Sequence, residues 1–421
     1  VPAATRRPTL LILSQVYLPD PASVGQHMHD AARELVRRGY RVIVYASARG
    51  YDDPSRRYRR RETLDGVEVR RLPLSSFGKR SLRARLLGGL SFLAQATLRA
   101  LFTRRPAGVL VSTSPPMASA AGVALSRLRR VPLLFWVMDV NPDQAVVTGA
   151  ISRHSLPARL LEASNRTAAE RSATVVLLDR YMMSRLSERW HLGKRAAILP
   201  PWSHDTVEPV PHAENPFRAE HSWSPENLVL MYSGNISPVH PVAPILQAAH
   251  RLRDEPRLKL VFIGGGGGRI EVEETIARLA LDNVELLPYQ PFDRLRFSLS
   301  AADVHLVTMG APMVGVVHPC KIYGALRVGR PVLFVGPAES HVGEILRTSR
   351  AGWQVDSADV DALEARIRSL LRLDDAALRR IGAAASAAAE EFTEERLCGA
   401  FADLVERAVG QTPIARPRGT S

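Results

Sequence analysis

Short, unbroken apolar runs alternate with amphipathic helices along nearly the whole chain, and this rhythm constrains the fold more than any other feature. Residues 9–14 (Thr-Leu-Leu-Ile-Leu-Ser) carry no polar alternate in their middle, the pattern of a strand buried on both faces of a parallel sheet. Met28, Ala32, Leu35 and Val36 then recur on one face of a helix that Gly39 ends. Residues 41–45 form the next strand. Strand, helix and strand in that order make a parallel unit whose loop lies at the strand's carboxyl end, where open α/β sheets bind ligands. Further strands fall at 66–72, 107–116 (running into a polar turn), 131–138, 173–178 and 197–202, and the rhythm restarts at 227–232, 258–263 and 331–335. The expected fold class is therefore α/β, with two doubly wound Rossmann-like domains. A length of 421 residues predicts two domains as well. The first is expected over 1–203. A polar connection with Pro209, Pro211, Pro216 and Pro225 follows over 204–226, then a second domain over 227–391, a last helix over 392–410 and a disordered tail over 411–421.

Charge bears on the partner. The net charge is +14, but no zinc-finger spacing or aromatic RNA-binding motif accompanies it, so nucleic acid is not the expected partner. An anionic membrane surface fits such charge better, and acidic small molecules would also be drawn in. Arg56, Arg57, Arg59, Arg60 and Arg61 crowd around Tyr58, which reads as a solvated loop or as a contact for phospholipid headgroups or an acceptor pyrophosphate. Residues 81–102 combine many leucines with flanking arginines and read either as a core-facing helix or as one lying in a membrane interface. No run reaches about 18 apolar residues, so no spanning helix is expected. The basic residues 1–7 do not read as a signal peptide. Cys320 and Cys398 are the only cysteines. They make neither a metal cluster nor a disulfide framework, which favours a cytoplasmic location.

Three stretches carry candidate chemistry. In residues 315–334, His318-Pro319 is expected to open a helix, Gly329 to end it, and Lys321 to place a full charge in its first turn. The chain has only four lysines, Lys79, Lys194, Lys259 and Lys321. Ser233-Gly234-Asn235 forms a small-residue turn ahead of a helix opened by Pro241, which lets backbone N–H groups approach a phosphate. Asp139 and Asp143 follow the strand at 131–138, where either serves to orient or deprotonate a hydroxyl, or as a helix cap. The glycine turn 264–268 is not a P-loop, since no Gly-Lys-Ser/Thr follows it.

The stretch Pro319-Cys320-Lys321-Ile322-Tyr323, with Gly329 and Pro331-Val332, resembles the donor-binding segment of family 4 glycosyltransferases of the GT-B fold, in particular the bacterial polysaccharide-biosynthesis branch. The likeness is strongest over 227–346 and continues through 9–202. It implies two domains facing a central cleft, with a last helix crossing back to the first. It implies a hexosyltransferase-type enzyme moving sugar from a nucleotide-sugar donor, UDP-linked, to a glycan, glycolipid or small-molecule hydroxyl. Transfer would proceed with retention, without metal or other cofactor, peripherally at the inner membrane face. Donor contacts implied are Gly25, Ser233, Gly234, Asn235, His240, Gly265, Tyr289, Gln290, His318, Pro319, Cys320, Lys321, Tyr323 and Glu344; His27, Asp139, Asp143 and Lys321 are the catalytic candidates. The family's two glutamates, eight positions apart, fall on Val316 and Gly324 here, and its basic pair in the first turn is replaced by residues 236–240, leaving His240 and Lys321 to hold the diphosphate. Two alternatives share the fold: a nucleotide-sugar epimerase, and a catalytically degraded partner subunit.

Overall fold

A computed structural model describes residues 7–20, 22–50, 53, 55–77, 82–203, 208–237 and 239–410, with side chains omitted for 82–86. The terminal segments, the basic side chains Lys79, Arg80, Arg83 and Arg85, and the first part of the expected linker lie outside the described residues. The chain divides into two compact units, Val1–Pro201 with Glu395–Ser421, and Trp202–Glu394.

The first unit is built on β1 (Thr9–Leu13), β2 (Arg41–Ser47), β3 (Arg61–Leu64), β4 (Val67–Leu72), β5 (Pro106–Ser112), β6 (Leu133–Trp136), β7 (Thr174–Leu177) and β8 (Ala196–Ile198). They form one sheet in the order β3-β4-β2-β1-β5-β6-β7-β8. Only β3 runs antiparallel, pairing with β4 at the edge. In the middle, Leu11 lies between Ile43 and Val109, and every residue of β1 is buried. That is why its sequence is an apolar run and not an alternation. The helix Glu394–Ala408 belongs to this unit. The Phe401 ring packs at a tilt on Trp136, 4.4 Å between centroids. Arg38, at the end of the helix Ser23–Arg37, donates to Glu34 at 3.0 Å, Asp403 at 2.5 Å, Glu406 at 2.9 Å and the Gly399 carbonyl at 2.9 Å.

The second unit holds β9 (Leu228–Ser233), β10 (Leu258–Ile263), β11 (Val284–Leu287), β12 (Val304–Thr308), β13 (Val332–Val335) and β14 (Gly352–Val355). The order is β11-β10-β9-β12-β13-β14, all parallel. Alternate residues of β9 feed opposite cores: Leu228, Leu230 and Tyr232 join one cluster, Val229 and Met231 the other. The expected linker over 204–226 is corrected in part. The helix Pro216–Glu220 packs Phe217 into the second cluster beside Trp223, and Arg218 is buried in an ion pair with Asp303 at 3.2 Å. Those residues are domain, not connection, because two large aromatic side chains gain more by burial than by exposure.

Candidate active site

In both sheets the order of winding reverses beside the first strand, between β1 and β5 in one and between β9 and β12 in the other. Helices leave on opposite faces at such a point, so the loops after the two strands part and open a crevice at the carboxyl edge.

At the β9/β12 crevice three loops interlock. The turn after β9 and the glycine turn after β10 are in van der Waals contact. Gly264 has φ +146°, and a Cβ on it would stand 2.0 Å from the Gly234 carbonyl oxygen, so only glycine permits this approach. Ile236 N–H donates to the Gly265 carbonyl at 2.7 Å, and Gly268 N–H to Ile236 at 3.0 Å. The Tyr289 ring lies over Gly265, its edge 3.0 Å from where a Cβ would be, and its outer side is exposed. Gln290, by contrast, turns its amide back onto the Pro288 carbonyl.

Lys321 is the centre of this group. It is the first residue of the helix Lys321–Arg327, with Cys320 as N-cap. The helix thus opens later than the expected His318-Pro319 start. From there the side chain reaches β9: Nζ donates to Tyr232 Oη at 2.6 Å, and Cε passes within 3.2 Å of the Cβ position of Gly234. Tyr232 Oη in turn donates to the Asn235 carbonyl at 2.7 Å. Burial lowers the Lys321 pKa to about 7, opposed only by nearby Cys320. His240 Nδ1–H donates to the Thr308 carbonyl at 2.8 Å, and burial, with the Lys321 charge beside it, brings its pKa down to about 3. The expectation that His240 replaces a basic residue is therefore corrected: it is neutral at ordinary pH.

Residues 318–323 split between two jobs, because Lys321 and Tyr323 leave the helix on different faces. Tyr323 is buried with its ring against Phe392, 4.8 Å between centroids. Its hydroxyl sits between two imidazoles, 2.6 Å from His318 Nε2 and 2.9 Å from His341 Nε2. Tyr323 and His318 thus fasten the segment that carries Lys321. Pro319 is buried beside them and the Cys320 thiol donates to the His318 carbonyl at 3.4 Å. Glu344 lies one turn beyond His341, in the first turn of the helix His341–Ser349, half-buried.

At the β1/β5 crevice, the helix Ser23–Arg37 begins hard against the loop after β1, where a Cβ on Gly25 would stand 3.1 Å from Tyr17 Cα. His27 is buried, and its Nδ1–H donates to the Ser23 carbonyl at 2.9 Å. Thr113, after β5, accepts from the backbone N–H groups of Met138 and Asp139 at 3.2 Å each, so the loop after β6 is tied to its neighbour and Asp139 is held half-buried at the edge. Asp143 does not share that place. It is buried, with Arg185 Nε at 2.8 Å and Arg189 donating at 3.1 and 3.0 Å. Guanidinium groups take up both of its oxygens, so the candidate catalytic role of Asp143 is corrected to a structural one.

Sequence reading missed Tyr232, Thr308, His341 and Thr113. Each acts as the partner of a residue far away in the chain, and nothing in local spacing reveals that. Among the described residues, no three His, Cys, Asp or Glu side chains converge as they would around a metal ion. No helix there is long and apolar enough to cross a membrane.

Comparison with known proteins agrees with this geometry. Residues 23–202 match the family model described as a glycosyl transferase 4-like domain, and residues 214–387 the model described as glycosyl transferases group 1. The chain is similar to the putative colanic acid biosynthesis glycosyl transferase WcaI of Escherichia coli strain K12, 26% identical over 86% of this chain and 92% of that one. In fold it is similar to sucrose-phosphate synthase from Thermosynechococcus elongatus, with TM-score 0.78 and 17% identity over 96% and 99% of the two chains. It is similar also to Anabaena Alr3699/HepE in complex with UDP-glucose, with TM-score 0.71 and 15% identity over 95% and 99%. With the two matched stretches taking in most of the chain, it belongs to the GT-B glycosyltransferases of family 4, enzymes of the hexosyltransferase type.

Proposed function

We propose that the chain transfers a hexose from a UDP-linked donor to a hydroxyl of a glycan or lipid-linked acceptor at the inner membrane face. Transfer retains the anomeric configuration, uses no metal ion, and serves the synthesis of a surface polysaccharide. The observation that carries the reading is the Lys321 ammonium, set on Tyr232 over the Gly234 backbone at the β9/β12 crevice. The UDP-glucose complex of the HepE protein and the colanic acid biosynthesis in which WcaI is placed support the donor and the pathway.

In this reading the diphosphate lies along the Ser233-Gly234-Asn235 turn, within reach of Lys321, and the base lies beside Tyr289 and Gln290. As the bond from the anomeric carbon to the diphosphate oxygen breaks, the oxygen keeps the electron pair. Its growing charge is met by a cation already in place, which costs no reorganisation at the moment of reaction. The acceptor oxygen forms the new bond to that carbon from the same face, and its proton passes to the departing diphosphate oxygen. Asp139 and His27 are the groups of the first unit assigned to orienting the acceptor hydroxyl; Asp143 is spent on its arginines.

A thermal-shift panel of nucleoside diphosphates and their sugars, with chelator present, tests this. Ligand at about 100 times Kd stabilises by roughly 2.7 kcal/mol, a shift of a few degrees. A shift with uridine nucleotides alone is expected, and a shift confined to another base, or to none, rejects the donor assignment. Magnetic resonance of the product's anomeric proton tests retention.

A further inference from the structure

The helix Leu82–Leu101 has an outer face that the sheet does not explain. Phe92, Leu93, Ala96 and Ala100 are buried against the unit. At helical spacing on the opposite side, Leu87, Leu90, Ala94 and Leu98 are exposed, and Phe102 continues the row. Leu87 is 61% exposed, Leu90 57%, Leu98 59% and Phe102 80%. A helix apolar on all sides is expected only where both sides are covered, and an exposed row of this length marks an interaction surface.

Charge identifies what covers it. Between residues 69 and 138 the chain has twelve arginines and lysines and not one aspartate or glutamate. Arg99, Arg104 and Arg105 are exposed at the far end of the row. Arg129 donates to the Leu101 and Thr103 carbonyls at 2.7 and 2.8 Å, which brings exposed Leu128, Arg127 and Arg130 of the helix Ala118–Arg129 alongside. At the near end, Phe77 N lies 3.3 Å from the Cβ position of Gly88, and Ser76 Oγ donates to the Gly50 carbonyl at 3.2 Å. Gly50 N–H in turn donates to the Arg56 carbonyl at 3.0 Å. The exposed arginines of residues 56–61 thus lie in a loop linked to the segment that packs beside the start of this helix. A second copy of the chain would bring cation against cation. An anionic bilayer meets both requirements, since its headgroups pair with the arginines and its acyl boundary accepts the leucines.

We infer that the helix Leu82–Leu101 lies in the plane of an anionic lipid surface, with Leu87, Leu90, Leu98 and Phe102 inserted and Arg99, Arg104 and Arg105 among the headgroups. The inference deepens the functional reading by naming the surface that meets the membrane. It rests on that reading only for which face of the membrane is met.

The test is sedimentation of the full chain with vesicles of phosphatidylcholine alone and of phosphatidylcholine and phosphatidylglycerol in about equal parts, with no sugar or nucleotide present. Binding to the mixed vesicles, weakening as salt rises, is expected. Leu90→Glu, Leu98→Glu or Phe102→Glu should each weaken it by about tenfold, with the melting temperature unchanged because the side chains are exposed. Phe102→Trp should show a blue-shifted emission that brominated acyl chains quench. No sedimentation with mixed vesicles overturns the inference. So does binding that the three glutamate variants leave intact, or a dimer in solution that Leu98→Glu dissociates. UDP binding is measured separately, so loss of either result leaves the other standing.

Discussion

Lys321 is the residue on which the account turns, and its surroundings set a sign for its pH dependence. Burial lowers its pKa from 10.5 to about 7. Between those two values the unfolded chain holds a proton that the folded one has released, so this residue makes stability rise with pH across that window, its penalty being full below about 7. The donor-free protein should therefore gain more melting temperature between pH 7 and 9 than Lys321→Met does. Diphosphate has the opposite preference, since it needs the charged form. Its affinity should fall by up to about tenfold per pH unit above 7, and calorimetry in buffers of different ionisation enthalpy should register proton uptake on binding. A pH-independent affinity over 6–9 would mean that Lys321 stays charged without ligand. Tyr232→Phe removes the acceptor of the 2.6 Å bond from Lys321. The expected result is a lower kcat/KM with a displaced pH profile; an unchanged profile would show that Tyr232 does not position the ammonium.

Among the elements, the turns and the last helix are the tightest constraints. Gly264→Ala places a Cβ against the Gly234 carbonyl in a left-handed backbone, which should cost about 1–3 kcal/mol and weaken donor affinity, since the two turns form one surface. Chemical denaturation reads the first and a UDP titration the second. The helix Glu394–Ala408 carries Glu406, fully buried and held by Arg38. Arg38→Met leaves that carboxylate without its cation and should destabilise the first unit by about 3–5 kcal/mol. An effect below about 1 kcal/mol would mean that the packing of Phe401 on Trp136 holds the helix by itself. These elements were legible to different degrees. The apolar runs marked β1, β2, β9, β10 and β13 closely, because strands buried on both faces leave an unambiguous pattern. β14 was missed, since Gly-Trp-Gln-Val is partly exposed and neither alternates nor runs apolar. β3 was missed too, only its first residue, Arg61, falling in the arginine-rich loop, because its four residues are half solvated at the sheet edge. In the site, glycine turns and Lys321 stood out by composition and position. What Lys321 touches did not, because its partner Tyr232 is 89 residues earlier, and pairing across a sheet is set by topology, not spacing.

Taken whole, the molecule is two sheets wound the same way, each reversing beside its first strand. One crevice gathers glycine turns and a half-buried lysine; the other gathers a buried histidine and an aspartate at a tied loop. In the proposed function the first takes the diphosphate and the second the acceptor hydroxyl. The family's paired carboxylates are replaced by Val316, which is buried, and Gly324, so in the proposed function the lysine carries a larger share of donor binding than a site with those acids would require. The most direct test of that claim is a calorimetric titration of UDP into the wild type and Lys321→Ala, with chelator present, at pH 6.5. The account predicts saturable binding to the wild type and a loss of about 100-fold or more in the variant, matching removal of one preorganised charged donor, with the melting temperature of the free variant no lower than that of the wild type. Equal affinity in the two proteins would contradict it and place the diphosphate elsewhere.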